Sequence, residues 1–368
     1  MSLAKYKKEL QDFLGQSQHD ECSVVVMPDF FLDRIINLKW DPTEFSGLVA
    51  DVAERKGGSI DGVPQMDMKG GNAVNMASAL SSLGVKVTPI VCTSGLGLQQ
   101  IKYHFKDAKM DLSHIKICNK ASITTALEFK NRNEKTNVML RDLGDLANFS
   151  PKDVNEKDYN LIDEADYTCL FNWAGTLKYG TALAQAVFGH AKQSKGCKTF
   201  YDTADPNPNS EGIPDLIEKV LKTGKVDILS LNENEAVTYA SRLDEGLNEK
   251  KSRVGFAELA MEAARILSKY FSSRIYLHTT VFSASFIGKR EIVVPTFKVK
   301  VLRATGAGDA WNAGNILGDK NGLTDECRLL LANAVSACYL SEADGMHPTK
   351  AKLASFLKTN VERCAKFF

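Results

Sequence analysis

The sequence predicts an α/β protein in which helices cover both faces of a mostly parallel central sheet. Short apolar runs rich in β-branched residues recur along the chain, and amphipathic helical patterns lie between them. There is no internal repeat and no Pro-rich or Ser-rich linker. We therefore predict one α/β domain with an inserted lid rather than two independent domains. The predicted strands are residues 23–27, 85–92, 199–202, 226–231 and 274–279.

Helical periodicity is clearest at residues 72–83, where Met76, Ala79, Leu80 and Leu83 form one apolar stripe that ends at Gly84. Two regions break the alternation of strands and helices. Residues 35–68 are interpreted as an irregular, Gly-containing segment, and residues 122–140 as paired strands around a polar turn at 130–135. Both segments are predicted to form a small β lid.

These patterns predict the organisation of the whole chain. Residues 1–22 are expected to be an N-terminal extension, 23–350 the α/β domain with lid segments near 35–68 and 122–140, and 351–368 a C-terminal helix. The first 22 residues are lysine-rich and lack the apolar core of a secretory signal.

Charge and composition argue against two classes of partner. The chain has 46 Lys and Arg against 45 Asp and Glu, a formal net charge of +1, so neither nucleic acid nor an anionic membrane is expected to bind it. No stretch approaches the roughly 18 apolar residues of a membrane span. The eight cysteines are scattered without a CxxC pair, which indicates free thiols in a reducing compartment and predicts a cytoplasmic location.

The strongest motif is the Gly-rich segment TGAGDAWNAG at residues 305–314, which runs into a helical pattern. Glycines at a helix N-terminus expose N–H groups to an anion, so Gly306, Ala307 and Gly308 are predicted to form an anion hole. Asp309 would then take the proton of an attacking hydroxyl. For this motif alone, an ordinary helix cap is an equally good interpretation of Asp309.

A second motif, GGNAVNMA at residues 70–77, begins the helical pattern described above. The paired glycines allow the backbone to approach a ligand closely. Asn75 offers both a donor and an acceptor to a polyol. This motif is weak in isolation.

Together the motifs resemble those of the ribokinase-like (PfkB) carbohydrate kinase family. An NxxE-like element, from Asn232 to Glu235, follows the apolar run VDILSL. Asp33 lies in FFLDRI, where that family has a substrate-binding aspartate. The four elements follow one another in the family's order over about residues 24 to 350. The early motif is matched by Gly70, Gly71, Asn75, Ala77, Leu80, Leu83 and Gly84, and the late one by residues 306–309.

The resemblance implies a three-layer fold and an ATP-dependent, Mg²⁺-assisted transfer of phosphate to a small sugar or sugar-like acceptor. Asp309 would be the base and residues 306–308 the anion hole, while Asn232 and Glu235 would organise Mg²⁺ and phosphate through water. A monovalent cation and a homodimer formed through the lid are also implied. By the same resemblance, Asp33, Gly71 and Asn75 would bind the acceptor, and Thr279, Asn333 and Gly345 the nucleotide.

Three departures from the family pattern bear on these expectations. Pro28 replaces a glycine at the end of the first strand, and Arg303 replaces an acidic residue before the late motif. Residues 279–284, TTVFSA, lack the glycines of the TxGxxG nucleotide loop. The exchange at Arg303 puts monovalent-cation binding in question, and the altered loop leaves ATP and ADP open as donors.

Four further polar residues have either two possible roles or a purely structural one. Asp202 and Asp205 both follow a predicted strand, and either would serve as an additional organiser of Mg²⁺ or simply as a turn residue. His278 and His347 lack a metal-binding partner at useful spacing and are interpreted as packing residues.

Three alternative functions bear comparison with the motifs. A nucleoside kinase of the same family would need a ring to stack on the base, and Phe30, Phe31, Phe129 and Trp173 are candidates. A non-catalytic sensor on the kinase fold would explain the altered loop. A dinucleotide-binding oxidoreductase is disfavoured, because the glycine pattern at residues 95–98 lacks its third glycine, which is Gln100.

Overall fold

We analysed a computed structural model that describes residues 3–16, 21–106, 110–131, 134–194, 196–250, 253–302, 305–342 and 344–360. The strands are β1 (Ser23–Met27), β2 (Phe31–Asn37), β3 (Gln65–Gly70), β4 (Lys86–Pro89), β5 (Cys92–Thr93), β6 (Lys116–Ile117), β7 (Ser122–Asn131), β8 (Glu134–Asp142), β9 (Tyr167–Phe171), β10 (Lys198–Asp202), β11 (Ile228–Asn232), β12 (Arg274–His278), β13 (Phe282–Ile287) and β14 (Arg290–Pro295). The α-helices are α1 (Leu3–Gly15), α2 (Pro42–Glu54), α3 (Asn72–Ser82), α4 (Gly95–His104), α5 (Glu156–Glu164), α6 (Gly180–Ala191), α7 (Ile213–Lys219), α8 (Glu233–Leu243), α9 (Gly246–Lys250), α10 (Phe256–Tyr270), α11 (Ala307–Lys320), α12 (Asp325–Leu340) and α13 (Lys350–Asn360).

The main sheet has the strand order β14-β13-β12-β11-β10-β9-β1-β4 in the described part of the chain. The strands from β12 to β4 run parallel to their neighbours, whereas β13 and β14 are antiparallel. The carboxyl ends of the parallel strands therefore meet at one edge of the sheet. In open α/β sheets this edge is where ligands bind.

Helices cover both faces of this sheet, as the sequence predicts. Strand β1 shows why, because Val24 and Val26 face one hydrophobic core while Val25 and Met27 face the other. The first core includes side chains of α3, α11 and α12, and the second those of α6, α8 and α10. The observed fold is thus the predicted three-layer α/β fold.

The strand predictions are confirmed with small differences at the ends. The predicted strand 85–92 is interrupted, and β4 and β5 lie on either side of the break. Strand β9, which lies between β1 and β10, was not predicted. Its five residues, YTCLF, are all buried, and such a short apolar run carries no periodicity that separates strand from helix.

The lid is a four-stranded sheet of order β3-β2-β7-β8. The predicted hairpin corresponds to β7 and β8, with residues 132–133 of its turn outside the described part of the chain. The interpretation of residues 35–68 as irregular is wrong, because they contain α2, the end of β2 and most of β3. The sequence did carry a signal for α2: Asp41 and Glu44 form a capping box, and Pro42 occupies the first helical turn.

The two ends of the described chain pack together on the main domain. Helix α1 lies within the predicted N-terminal extension, and its Leu10, Phe13 and Leu14 are buried in the same core as α12 and α13. Helix α13 begins the predicted C-terminal helix, of which residues 361–368 lie outside the described range. Across the described residues, no helix is both long and apolar enough to span a bilayer.

Helices α11 and α12 approach closely at Gly314, where an added Cβ would lie 2.7 Å from the Cα atom of Ala332. We expect Gly314→Ala to lower the free energy of unfolding by about 1–3 kcal/mol, because the backbone of α12 cannot move aside as a flexible side chain can. Gly189→Ala in α6 is the matched control. Its nearest atom is the side-chain Nζ of Lys225 at 3.5 Å, so this variant should gain roughly 0.5 kcal/mol from helix propensity. Chemical denaturation measures both, and a Gly314→Ala variant as stable as the wild type would contradict the argument.

Candidate active site

The candidate site lies between the carboxyl edge of the main sheet and the inner face of the lid. A cleft of about 180 Å³ occupies this position. Asp33 and Gly71, both predicted to bind the acceptor, line it, and Thr305 lies immediately before the predicted anion hole. The structure thus brings the early and late motifs to the same cleft.

Helix α3 begins at this cleft directly after the lid strand β3. Gly71 adopts φ +92° as the residue before the helix, and a Cβ there would lie 2.9 Å from the carbonyl oxygen of Asp29 and the Cα atom of Phe30. Both contacts are with backbone, so the close approach requires glycine.

Asp29 fixes the first turn of α3, although the sequence analysis did not identify it. Its carboxylate accepts hydrogen bonds from the backbone N–H groups of Asn72 and Ala73, both at 2.9 Å, and from the side-chain amide of Asn172 at 3.0 Å. Burial raises the pKa of Asp29. The available signal was its position just past β1, since polar residues after parallel strands commonly line ligand sites.

Helix α11 begins on the opposite side of the cleft. Gly306 adopts φ +89°, and a Cβ there would lie 2.7 Å from the hydroxyl oxygen of Tyr339. That hydroxyl donates a hydrogen bond to the carbonyl of Thr305 at 2.8 Å. The first N–H groups of a helix have no partner within the helix, so this turn has the geometry of an anion site.

Asp309 lies in the first turn of α11 and is 4% exposed. Its Oδ1 accepts a hydrogen bond from the side-chain amide of Asn72 at 3.0 Å, and Asn75 also hydrogen-bonds this carboxyl group. Burial, followed by the negative charges of Asp202 and Asp29, raises the pKa of Asp309 well above its usual range. A raised proton affinity suits a general base that works near neutral pH.

Asp202, at the end of β10, belongs to the same buried region, whereas Asp205 is exposed and holds Asn207 in a turn. The Asp202 carboxylate accepts hydrogen bonds from the side chain of Asn312 at 2.8 Å and from the N–H of Ala204 at 3.0 Å. Burial raises the pKa of Asp202 to about 6. Of the two aspartates left open by the sequence, Asp202 is the one that lies near Asp309.

Asn232 and Glu235 form a reciprocal cap at the start of α8. The Asn232 side chain accepts from the N–H of Glu235 at 3.0 Å, and the Glu235 carboxylate accepts from the N–H and side-chain amide of Asn232 at 2.9 and 2.7 Å. Burial and the charge of Asp202 raise the pKa of Glu235. The cap holds Glu235 in place, which is compatible with the predicted role in organising a cation through water.

The buried carboxylate of Asp202 therefore lies close enough to Glu235 and to Asp309 to raise the pKa of both. A divalent cation nearby would relieve this repulsion. Within the described residues, no three His, Cys, Asp or Glu side chains form a complete metal site. A few carboxylates without a complete set of protein ligands would suit a cation like Mg²⁺, which keeps several waters and takes further oxygens from phosphate.

The loop that departs from the family's glycine pattern forms a tight turn between β12 and β13. The hydroxyl of Thr279 donates to the carbonyl of Phe282 at 2.8 Å and accepts from the N–H groups of Val281 and Phe282 at 3.1 and 2.9 Å. Thr279 thus closes the turn through its side chain, which explains how the segment turns without glycine.

His278 flanks the predicted anion hole. A Cβ added to Gly308 would lie 3.2 Å from the Cε1 atom of His278, and the imidazole lies against the Trp311 ring with centroids 5.1 Å apart. Burial lowers the pKa of His278 to about 4, so the ring is neutral near pH 7. The sequence predicts His278 only as a packing residue and does not indicate its position beside Gly308.

The other two predicted nucleotide residues lie elsewhere. Asn333 is buried in α12, where its amide accepts from the indole N–H of Trp311 at 2.8 Å and donates to the carbonyl of Pro295 at 3.0 Å. Gly345 lines a different cleft of about 290 Å³ beside α3, together with Lys69 and His347. Their role in nucleotide binding stays a prediction.

The aromatic residues considered for base stacking are mostly remote from the cleft. Phe30 and Trp173 are buried in the two hydrophobic cores, and Phe129 is covered by Phe45 of α2, with ring centroids 5.8 Å apart. Phe31 does line the cleft, but the guanidinium of Arg141 lies over its ring at 5.1 Å from the centroid. Among these four rings, none presents a face ready for a nucleobase.

Solved structures of ribokinases and related kinases share this fold. Arabidopsis thaliana ribokinase, complexed with ribose and ATP, is 17% identical, with a TM-score of 0.70 over 92% of this chain and 99% of that one. Adenosine kinase from Sinorhizobium meliloti is 16% identical, with a TM-score of 0.68 over 92% and 98% of the two chains. Nucleoside kinase from Methanocaldococcus jannaschii is 16% identical, with a TM-score of 0.65 over 93% and 99%.

The sequence itself carries the family assignment. The profile of the pfkB family carbohydrate kinases matches residues 66–352, and the chain belongs to that family. A search of curated proteins finds no significant match. The resemblance noted from the sequence is thereby confirmed.

Proposed function

We propose that the protein is an ATP-dependent, Mg²⁺-assisted kinase that phosphorylates a hydroxyl of a small, sugar-like acceptor. The observation that carries this proposal is the meeting of two helix starts at one cleft, where Asn72 of α3 holds the carboxylate of Asp309 beside the first turn of α11. A base and an anion site in one place suit transfer of a phosphoryl group to a hydroxyl. The solved ribokinase with ribose and ATP supports the choice of donor.

In the proposed mechanism, the acceptor lies in the cleft with Asp33 and Gly71 along its side, and its reacting hydroxyl faces Asp309. Asp309 takes the proton as the hydroxyl oxygen attacks, while the N–H groups of residues 306–308 receive the negative charge of the transferring group. Glu235 and Asp202 would hold Mg²⁺ through water, and the bound ion would neutralise charge on the donor phosphates. Closure of the lid over the cleft excludes water.

The test is an assay of purified protein with Mg²⁺ and either ATP or ADP against neutral sugars, sugar acids, sugar phosphates and nucleosides, with phosphorylated product followed by mass. We expect transfer to one acceptor class, with ATP as the better donor. Stabilisation by an acceptor without any transfer would support a non-catalytic sensor instead. A nucleoside as the preferred acceptor would contradict the sugar-like class.

We propose that Asp202 sets the acidic limb of the pH profile of kcat/KM. Its negative charge raises the pKa of Asp309, so its removal in Asp202→Asn should lower that pKa and move the acidic limb to lower pH. Turnover should also fall, because Asn312 loses an ionised partner. The profile of Asp205→Asn, at the exposed turn, is the control. An unchanged acidic limb in Asp202→Asn would remove Asp202 from this role.

We also propose a homodimer formed through the outer face of the lid, where Ile123, Val138 and Leu140 are exposed. Helix α2 covers another part of this face through the contact of Phe45 with Phe129. Sedimentation that shows only monomer at micromolar concentrations would reject the dimer.

A cytoplasmic location remains a prediction, and the described cysteines are free thiols in keeping with it. Binding of a monovalent cation likewise remains a prediction.

A further inference from the structure

We propose that the acceptor carries an anionic group, a carboxylate or a phosphate ester, and that Arg141 of the lid binds it. This inference rests on the proposed kinase function and names the class of acceptor for the same cleft. Arg141 was not singled out in the sequence analysis, because its position over the cleft depends on strand pairing.

Strand register places Arg141 in a polar row on the inner face of the lid. Asp33 of β2 is paired with Thr124 of β7, and Thr124 is paired with Arg141 of β8. Paired residues point to the same face of a sheet, and all three side chains line the cleft. The next inward-facing row, Ile35, Ala126 and Met139, is apolar. The polar row therefore defines where a charged part of the acceptor would bind.

The Arg141 side chain is oriented by Phe31. Its guanidinium carbon lies 5.1 Å from the centroid of that ring, and Phe31 is itself buried. An aromatic platform of this kind holds the planar guanidinium and leaves its N–H edges for other partners. These edges match the two oxygens of a carboxylate or a phosphate.

Two other cations near the lid, Arg34 and Lys120, are already paired. Arg34 forms an ion pair with Asp67 at 2.6 Å, and Lys120 pairs with Asp142 at 2.8 Å. Within the described residues, Arg141 has no carboxylate partner within 4 Å. A cation that faces a ligand cleft and forms no ion pair within the described chain is best explained by a charged ligand.

Asp29 is not an ion-pair partner of Arg141. The positive charge of Arg141 does lower the pKa of Asp29, but less strongly than the hydrogen bonds to that carboxylate do. Both oxygens of Asp29 are engaged by the start of α3 and by Asn172. The guanidinium therefore remains available to an anion in the cleft.

The dimensions of the row fit a small polyhydroxylated anion. Asp33 and Arg141 lie on strands separated by one other strand, so their backbones are roughly 10 Å apart. Both side chains line the same cleft of about 180 Å³. An acceptor of about five or six carbons would place hydroxyls near Asp33 and its anionic group at Arg141. Its reacting hydroxyl would then lie toward Asn72.

The experiment compares charged acceptors with neutral ones in the full chain with Mg²⁺ and ATP. The probes are gluconate and fructose 6-phosphate as anions, glucose and fructose as their neutral counterparts, and adenosine. We expect kcat/KM for one anionic probe to exceed that of its neutral counterpart by about 100-fold. We also expect KM for that probe to rise with ionic strength. The preferred anion distinguishes a sugar acid from a sugar phosphate.

Variants of Arg141 test the assigned contact. Arg141→Gln should lower the ratio of kcat/KM for the anionic over the neutral acceptor by about 100-fold, because a charged hydrogen-bond pair is lost. Arg141→Lys should restore part of the ratio as a point charge. Arg34→Gln, on the outer face of the same sheet, is the matched control and should leave the ratio unchanged. A neutral sugar or adenosine as best acceptor, or a ratio insensitive to Arg141→Gln, would overturn the inference.

Failure of the kinase proposal would have a different signature. If no acceptor is phosphorylated, titration calorimetry with gluconate and fructose 6-phosphate still measures the anion site. Binding that Arg141→Gln weakens about 100-fold would support the anion site while rejecting catalysis. Binding of neither probe, or equal binding by the variant, would reject the anion site itself.

Discussion

Replacing Asp309 with Asn is expected to lower kcat by about 10³-fold while leaving acceptor binding largely intact. The amide keeps the size of the side chain and an oxygen for the bond from Asn72, but it cannot accept the proton of the attacking hydroxyl. Kinetics and titration calorimetry on the same preparation measure the two quantities. Turnover close to that of the wild type would remove Asp309 from the role of base.

The same substitution should stabilise the fold in a pH-dependent way. The folded-state pKa of Asp309 lies above its unfolded value, so the native protein binds this proton more tightly and loses stability as pH rises from about 4 through the folded pKa. Asp309→Asn abolishes that loss. The unfolding free energy of Asp309→Asn should exceed that of the wild type by a small amount near pH 4 and by a larger amount at pH 8, as measured by urea denaturation.

Asp51→Asn, on an exposed position of α2, provides the matched control for this titration and should show no comparable trend. An Asp309→Asn advantage that is flat with pH would mean that the folded-state pKa of Asp309 is not raised above its unfolded value.

Gly306→Ala is expected to lower kcat by about 10²–10³-fold, because the backbone N–H groups that follow would move from the anion. It should also cost about 1–2 kcal/mol of unfolding free energy, since Gly306 has φ +89°. A further cost arises because the new Cβ would lie 2.7 Å from the Tyr339 hydroxyl. Steady-state kinetics and chemical denaturation measure both effects.

Two variants separate backbone strain from this collision. Gly196→Ala has a similar positive φ of +99° with no atom within 4 Å of the new Cβ, so it reports strain alone. Tyr339→Phe removes the oxygen in question, and Gly306→Ala should therefore cost less stability in that background than in the wild type. Equal losses in Gly306→Ala and Gly196→Ala would show that Tyr339 does not constrain the turn.

The fold and the two glycine motifs were predictable from the sequence because both depend on local patterns. Apolar runs mark the parallel strands, and Gly71 and Gly306 stand where the backbone needs a positive φ. The helix α2 was missed because its segment was interpreted from its glycines, although Phe45, Leu48 and Val52 lie at helical spacing after the capping signal.

The rest of the site depends on contacts between residues far apart in sequence. Asn72 and Asp309 are separated by 237 positions, and nothing local indicates that one holds the other. Asp29 and Asn172 meet in the same way across 143 positions. The choice between Asp202 and Asp205 likewise required burial, which two aspartates three residues apart do not reveal in sequence alone.

Strand β3 of the lid continues without interruption through Gly71 into the first turn of α3. The cover of the cleft and Asn72, which holds the proposed base Asp309, are thus parts of one continuous stretch of chain. Any rotation of the lid about Gly71 changes the direction from which Asn72 reaches Asp309. Occupancy of the cleft and orientation of the Asp309 carboxylate would then be mechanically linked. In the proposed kinase, transfer of the phosphoryl group to water would therefore be slow while the acceptor cleft is empty.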